Sequence, residues 1–130
     1  MKSTLKLLAV AALLALPALA LADTVVINQV NTAWSPAEVT IQVGDTVEWH
    51  WSSLSHTVTN GTGAADPDAG NMFDEPLNGS NTVVSYTFNS PGDVPYFCRP
   101  HEAMGMTGVV HVRDTTATEE STWGNVKALY

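Results

Sequence analysis

The stretch Tyr96-Phe97-Cys98-Arg99-Pro100-His101-Glu102-Ala103-Met104-Gly105-Met106 holds a thiol, an imidazole and two thioethers within nine residues. It lies between two apolar runs, Val94–Phe97 and Gly108–Val112. A strand that ends at Cys98 and resumes near Thr107 would leave these side chains on one loop at the end of a β-structure. Taken singly, each residue has a plainer role. A lone cysteine is more often a small buried hydrophobe, and a methionine more often fills gaps in a core. Their joint occurrence as C-x2-H-x4-M points instead to a soft metal ion. Thiolate and thioether favour reduced copper, while imidazole serves both oxidation states. Two histidines and a cysteine with a weak axial methionine form the arrangement of electron-transfer copper sites. The loop supplies one histidine, so the second must come from elsewhere. His56 is the best candidate, because Leu54-Ser55-His56-Thr57-Val58 sets it in a polar turn just after a strand rather than on an alternating face.

The segments flanking this loop read as all-β. Val39, Ile41 and Val43 alternate with Glu38, Thr40 and Gln42, and Val47, Trp49 and Trp51 alternate with Thr46, Glu48 and His50. Val84, Tyr86 and Phe88 alternate with Val83, Ser85 and Thr87, and Val110 and Val112 with His111 and Arg113. A period of two buries one face and wets the other. Gly44-Asp45, Asn78-Gly79 and Ser90-Pro91-Gly92-Asp93 supply turns between the runs. Short strands separated by regular turns predict a sandwich or barrel of about seven or eight strands. His50 and His111 fall on outward faces, and they could share a second metal only if their strands were neighbours. Residues 60–81 form the longest irregular stretch, rich in Gly, Pro, Asp and Asn. Asp66-Pro67-Asp68-Ala69-Gly70 lacks the glycine position and closing glutamate of a helix–loop–helix calcium site, so it reads as a solvated acidic loop.

At the N-terminus, Lys2 and Lys6 precede the apolar run Leu7–Leu16, and Ala20-Leu21-Ala22 offers a cut before Asp23. This is the pattern of a secretory signal peptide over residues 1–22. The apolar run is short for a membrane span. The expected organisation is therefore leader 1–22, one domain at 23–113, and a polar linker with a short tail at 114–130 that ends in Trp123, Val126, Leu129 and Tyr130. Without Lys2 and Lys6 the chain keeps 3 basic and 13 acidic residues, a formal charge of −10. Such a charge disfavours nucleic acid and anionic membranes and suits a basic protein partner. Exported proteins usually pair their cysteines, and Cys98 is the single one here: it is buried and inert, a bridge to another chain, or a metal ligand, and the residues around it decide between these.

Trp34-Ser35-Pro36, Gly44-Asp45-Thr46-Val47-Glu48-Trp49, His56-Thr57-Val58, and Ser90-Pro91-Gly92 leading to Tyr96-Phe97-Cys98-x-x-His101 resemble the cupredoxin family, across about Thr24 to Arg113. The chain is similar to plastocyanin, amicyanin, halocyanin and pseudoazurin. The resemblance implies a Greek-key β-sandwich with one type 1 copper at one end, held by His56, Cys98, His101 and a methionine. Met106 has the plastocyanin and pseudoazurin spacing from the cysteine, and Met104 the shorter amicyanin spacing; Met106 is the expected axial ligand. The short tail after the last strand departs from the pseudoazurin pattern, so recognition details of that subgroup do not carry over.

Four protein ligands leave no position for a substrate, so the expectation is outer-sphere electron transfer and not catalysis. The resemblance implies exit through the outer edge of His101, across an apolar patch of Pro100, Ala103, Met104 and Gly105 with Pro36 nearby. The expected partners are exported, periplasmic redox proteins such as a basic c-type cytochrome or a copper enzyme, met by a monomer. A copper carrier or storage module would use the same ligands. A multicopper oxidase fragment would need further histidine pairs and a His-Cys-His run, whereas Phe97 and Arg99 flank the cysteine and the chain has four histidines.

Overall fold

The computed structural model describes residues 21–114. Nearly all of the expected leader, 1–22, and of the expected tail, 114–130, lie outside the described residues. Nine strands are present among them: β1 (Thr24–Val30), β2 (Ala33–Ser35), β3 (Glu38–Gln42), β4 (Thr46–His50), β5 (His56–Asn60), β6 (Asp74–Leu77), β7 (Val83–Thr87), β8 (Gly92–Phe97) and β9 (Thr107–Arg113). They form two sheets, ordered β2-β1-β4-β7 and β3-β9-β8-β5-β6.

The alternating sequence pattern becomes the two inner faces. In β4, Val47 and Trp49 are fully buried while Thr46, Glu48 and His50 are partly open. In β9, Val110 and Val112 are fully buried between Val109, His111 and Arg113. Ile27 from β1, Val58 from β5, Leu77 from β6 and Tyr96 from β8 complete a continuous core. Apolar area removed from water is the main stabilising term of such a sandwich.

Tyr96 fastens the two sides of the site end. Its hydroxyl donates to the Ala37 carbonyl at 2.8 Å, and burial pushes its phenol pKa well up. A side chain at Gly108 would run into both the Tyr96 ring and that carbonyl, so only glycine fits there.

Nine strands stand against the expected seven or eight, and two of them are short. β2 has three residues, and β6 lies inside the stretch read as irregular. β6 escapes the pattern because Asp74, Glu75 and Pro76 are poor strand formers. It pairs with β5 alone, at the sheet edge, where charge and proline are tolerated and discourage pairing with another chain. His50 lies on β4 and His111 on β9, in different sheets, so they do not share a site. His50 meets Glu48 at 3.0 Å and His111 meets Asp93 at 2.8 Å.

Candidate metal centre

β8 ends at Phe97, and Cys98 follows it into the loop that returns as β9. The loop is short and internally bonded. Cys98 N–H donates to the Met106 carbonyl at 3.0 Å, closing its two ends on each other. Between them, Glu102–Met104 makes one 3₁₀ turn, terminated by Gly105 in the left-handed region at φ 76°, where its N–H reaches the Glu102 carbonyl at 2.9 Å. His101 and Met106 thus hang from a folded loop. His56 arrives from the other direction, as the first residue of β5.

Sequence positions 56, 98 and 101 converge. Cys98 Sγ lies 3.6 Å from His56 Nδ1 and 3.4 Å from His101 Nδ1, and the two Nδ1 atoms are 3.1 Å apart. Donors bound tetrahedrally at about 2.0 Å for nitrogen and about 2.3 Å for thiolate would stand about 3.3 Å (N···N) and about 3.5 Å (N···S) apart. The observed triangle therefore fits three donors around one ion. Among the described residues, these three are the group of His, Cys, Asp and Glu side chains close enough to hold a metal.

Each imidazole must present Nδ1 bare. His56 Nε2 is 2.8 Å from the Ser53 carbonyl. A carbonyl only accepts, so Nε2 carries the proton and the lone pair of Nδ1 faces Cys98. Burial pushes the His56 ring below its ordinary value of 6.5; the Ser53 bond pulls upward, and nearby His101 pushes down again. The net effect favours a neutral, ligating ring.

The two methionines separate by exposure. Met106 is fully buried within the core cluster, and Met104 is 68% exposed. Only Met106 shares the interior with Cys98 and His56, both of which are buried. His101 is partly exposed, with Pro100, Ala103, Met104 and Gly105 open to solvent around it.

Contacts that sequence reasoning missed hold the ligand loop from outside. Arg99 pairs with Asp74 of β6 through Nε at 3.1 Å and Nη2 at 2.8 Å, and its N–H donates to Thr57 Oγ1 at 2.9 Å. Asp74 also accepts from Thr59 Oγ1 at 2.8 Å. The Arg99 bond holds the Asp74 carboxyl below the usual carboxylate range against the opposing effect of burial, with Thr59 assisting. Glu102 accepts the Ala64 N–H at 3.1 Å, tying the 3₁₀ turn to the long acidic loop. Nothing in the residue types at 64, 74, 99 and 102 announces these pairings, because they depend on the path of residues 60–77.

Comparison with known proteins agrees with this architecture. Residues 22–113 match the family model for copper binding proteins of the plastocyanin/azurin family. Amicyanin from Paracoccus versutus is 33% identical over 84 residues, covering 64% of this chain and 61% of the relative. Halocyanin from Natronomonas pharaonis is 31% identical over 83 residues, covering 62% of this chain and 48% of the relative. The chain thus spans about half to three fifths of the length of these relatives. The crystal structure of Paracoccus versutus amicyanin superimposes with a TM-score of 0.56 at 33% identity, covering 69% of this chain and 81% of that one.

Proposed function

Because the chain belongs to the plastocyanin/azurin family of copper-binding proteins, we propose that it is an electron carrier that shuttles single electrons between exported redox partners, with its copper held by His56, Cys98, His101 and Met106. The observation that carries this reading is the 3.1–3.6 Å triangle of one sulfur and two imidazole nitrogens, with Met106 fully buried in the same core cluster as Cys98.

Copper bound there supplies a one-electron couple tuned by thiolate and thioether. The chain's own residues do the rest. The Cys98–Met106 backbone bond and the 3₁₀ turn hold three of the proposed ligands on one small closed loop, and β5 holds the fourth. A frame fixed from two directions changes little between redox states, which lowers the barrier to electron exchange. Cys98, His56 and Met106 are sealed from water. His101 alone reaches partial exposure, so its outer edge is the exit, and exposed Met104, Ala103 and Pro100 offer a small apolar contact around it. The acidic residues Asp66, Asp68, Asp74 and Glu75 favour approach by a basic partner such as a c-type cytochrome or a copper enzyme.

The leader over residues 1–22 supports export, with the periplasm as the address. Stopped-flow reduction and reoxidation of the copper-loaded protein tests the reading. Repeated fast cycling with the copper retained is the expected result. Release of the metal on reduction would point to a copper carrier.

A further inference from the structure

The inward face of β1 carries an anomaly. Ile27 is core-facing and fully buried, and two residues on, where alternation calls for another apolar side chain, stands Gln29, 1% exposed. A buried amide is costly unless its donors and acceptor are satisfied. Gln29 is satisfied almost entirely by one short segment. Its Oε1 accepts the N–H groups of Ser52 at 2.7 Å and Ser53 at 2.9 Å, and the Ser52 hydroxyl, with one proton to give, stands 3.1 Å from it. Its Nε2 donates to the Asn31 carbonyl at 2.8 Å, and the Ser52 hydroxyl donates to the Gln29 carbonyl at 2.7 Å.

That segment is the one that orients His56. The carbonyl of Ser53, whose own N–H is held by Gln29, accepts the His56 Nε2–H. The turn beyond it is irregular, with Leu54 at φ 64° and its carbonyl accepting Trp51 Nε1–H at 2.6 Å. A turn of this shape has no ladder partners of its own, and Gln29 provides the acceptor that its N–H groups would otherwise lack.

We propose that Gln29 is a positioning residue for the metal centre: through the Ser52–Ser53 backbone it holds the Ser53 carbonyl where that group fixes the His56 tautomer and aims Nδ1 at Cys98. This rests on the copper reading above. Partners that orient a ligating histidine through its second nitrogen commonly change metal affinity about 10- to 100-fold when lost. Gln29 stands one step further out and acts through the backbone.

The test compares wild type, Gln29→Met and Gln29→Glu. Methionine keeps the bulk and removes every amide bond; glutamate in its protonated form, which burial favours, keeps an oxygen for the two N–H groups and an O–H for the Asn31 carbonyl. In the metal-free protein, NMR of the His56 ring should show Nε2–H exchange with solvent at least ten-fold faster in Gln29→Met and near wild type in Gln29→Glu. After copper loading, copper affinity should fall several-fold and the reduction potential should move in Gln29→Met, with rescue by Gln29→Glu. Unchanged exchange, affinity and potential in a folded Gln29→Met would overturn the proposal. If that variant did not fold, the test passes to Gln29→Asn, whose shorter amide stays polar but no longer reaches the Ser52 and Ser53 N–H groups. It should speed Nε2–H exchange several-fold, and no change there would overturn the proposal equally. A wild-type protein without a thiolate–copper band would instead defeat the copper reading, while the metal-free NMR comparison still decides the role of Gln29.

Discussion

Replacing the two methionines of the ligand loop in turn separates burial from ligation. Met106 is fully buried among core residues, so Met106→Ala removes packed atoms and leaves a cavity, at a cost of about 2–5 kcal/mol. Met104 is 68% exposed, so Met104→Ala should stay within about 0.5 kcal/mol. For a domain of this size, a loss of about 3 kcal/mol lowers Tm by about 12–24 °C. Those numbers concern the metal-free fold and say nothing of copper by themselves. Met106→Leu supplies the missing control, because a swap of similar volume costs less than about 1.5 kcal/mol while deleting the thioether. The assay is chemical denaturation of the metal-free variants beside visible spectra and potentials of the copper-loaded ones. The expected result is a near-native Met106→Leu fold with a changed spectrum and potential, and a Met104→Leu protein indistinguishable from wild type. A changed copper spectrum in Met104→Leu with none in Met106→Leu would refute the assignment of the axial ligand.

Acid should weaken the brace around the ligand loop. Asp74 has its pKa held below 3.8 by Arg99, so the folded state binds a proton less readily than the unfolded chain. Its contribution is complete above that value and is lost as pH falls through the lower folded value; denaturation curves of the metal-free protein between pH 6 and 2 should show the fall, and Asp74→Asn should flatten it. If the leader is cut before Asp23, the freed amino group meets Asp45 Oδ1, which the Asp23 N–H already contacts at 2.8 Å. A charge-assisted bond there is worth about 1 kcal/mol more than a neutral one, so chains beginning at Asp23 should unfold at higher denaturant than chains with one extra residue in front. Charge reversal at Asp66, Asp68 and Glu75 should slow association with a basic electron donor at low salt, and the difference should vanish as salt rises; an unchanged rate at low salt would contradict steering by this loop.

Much of this architecture was legible because burial leaves a period-two trace. The alternation through Val47 and Trp49, and through Val110 and Val112, became the inner faces of two sheets. The convergence of His56 with the Cys98–His101 loop was legible from ligand chemistry, since a lone cysteine beside a histidine and methionines has few other uses. β6 was not legible, because an edge strand needs no apolar alternation and tolerates Pro76. Gln29 was hidden for a different reason. A glutamine in an apolar strand looks like a break in the pattern until the loop that it satisfies is placed beside it. Glu102 and Arg99 look like ordinary surface charges, and only the folded path of residues 60–77 gives them partners.

The account stands most directly on a visible absorption spectrum of the oxidised, copper-loaded protein. An intense thiolate-to-copper charge-transfer band is expected, at one copper per chain, and Cys98→Ala should abolish it while the metal-free fold persists. A colourless copper complex, or a band that survives Cys98→Ala, would contradict a centre built on that sulfur and the two imidazoles facing it.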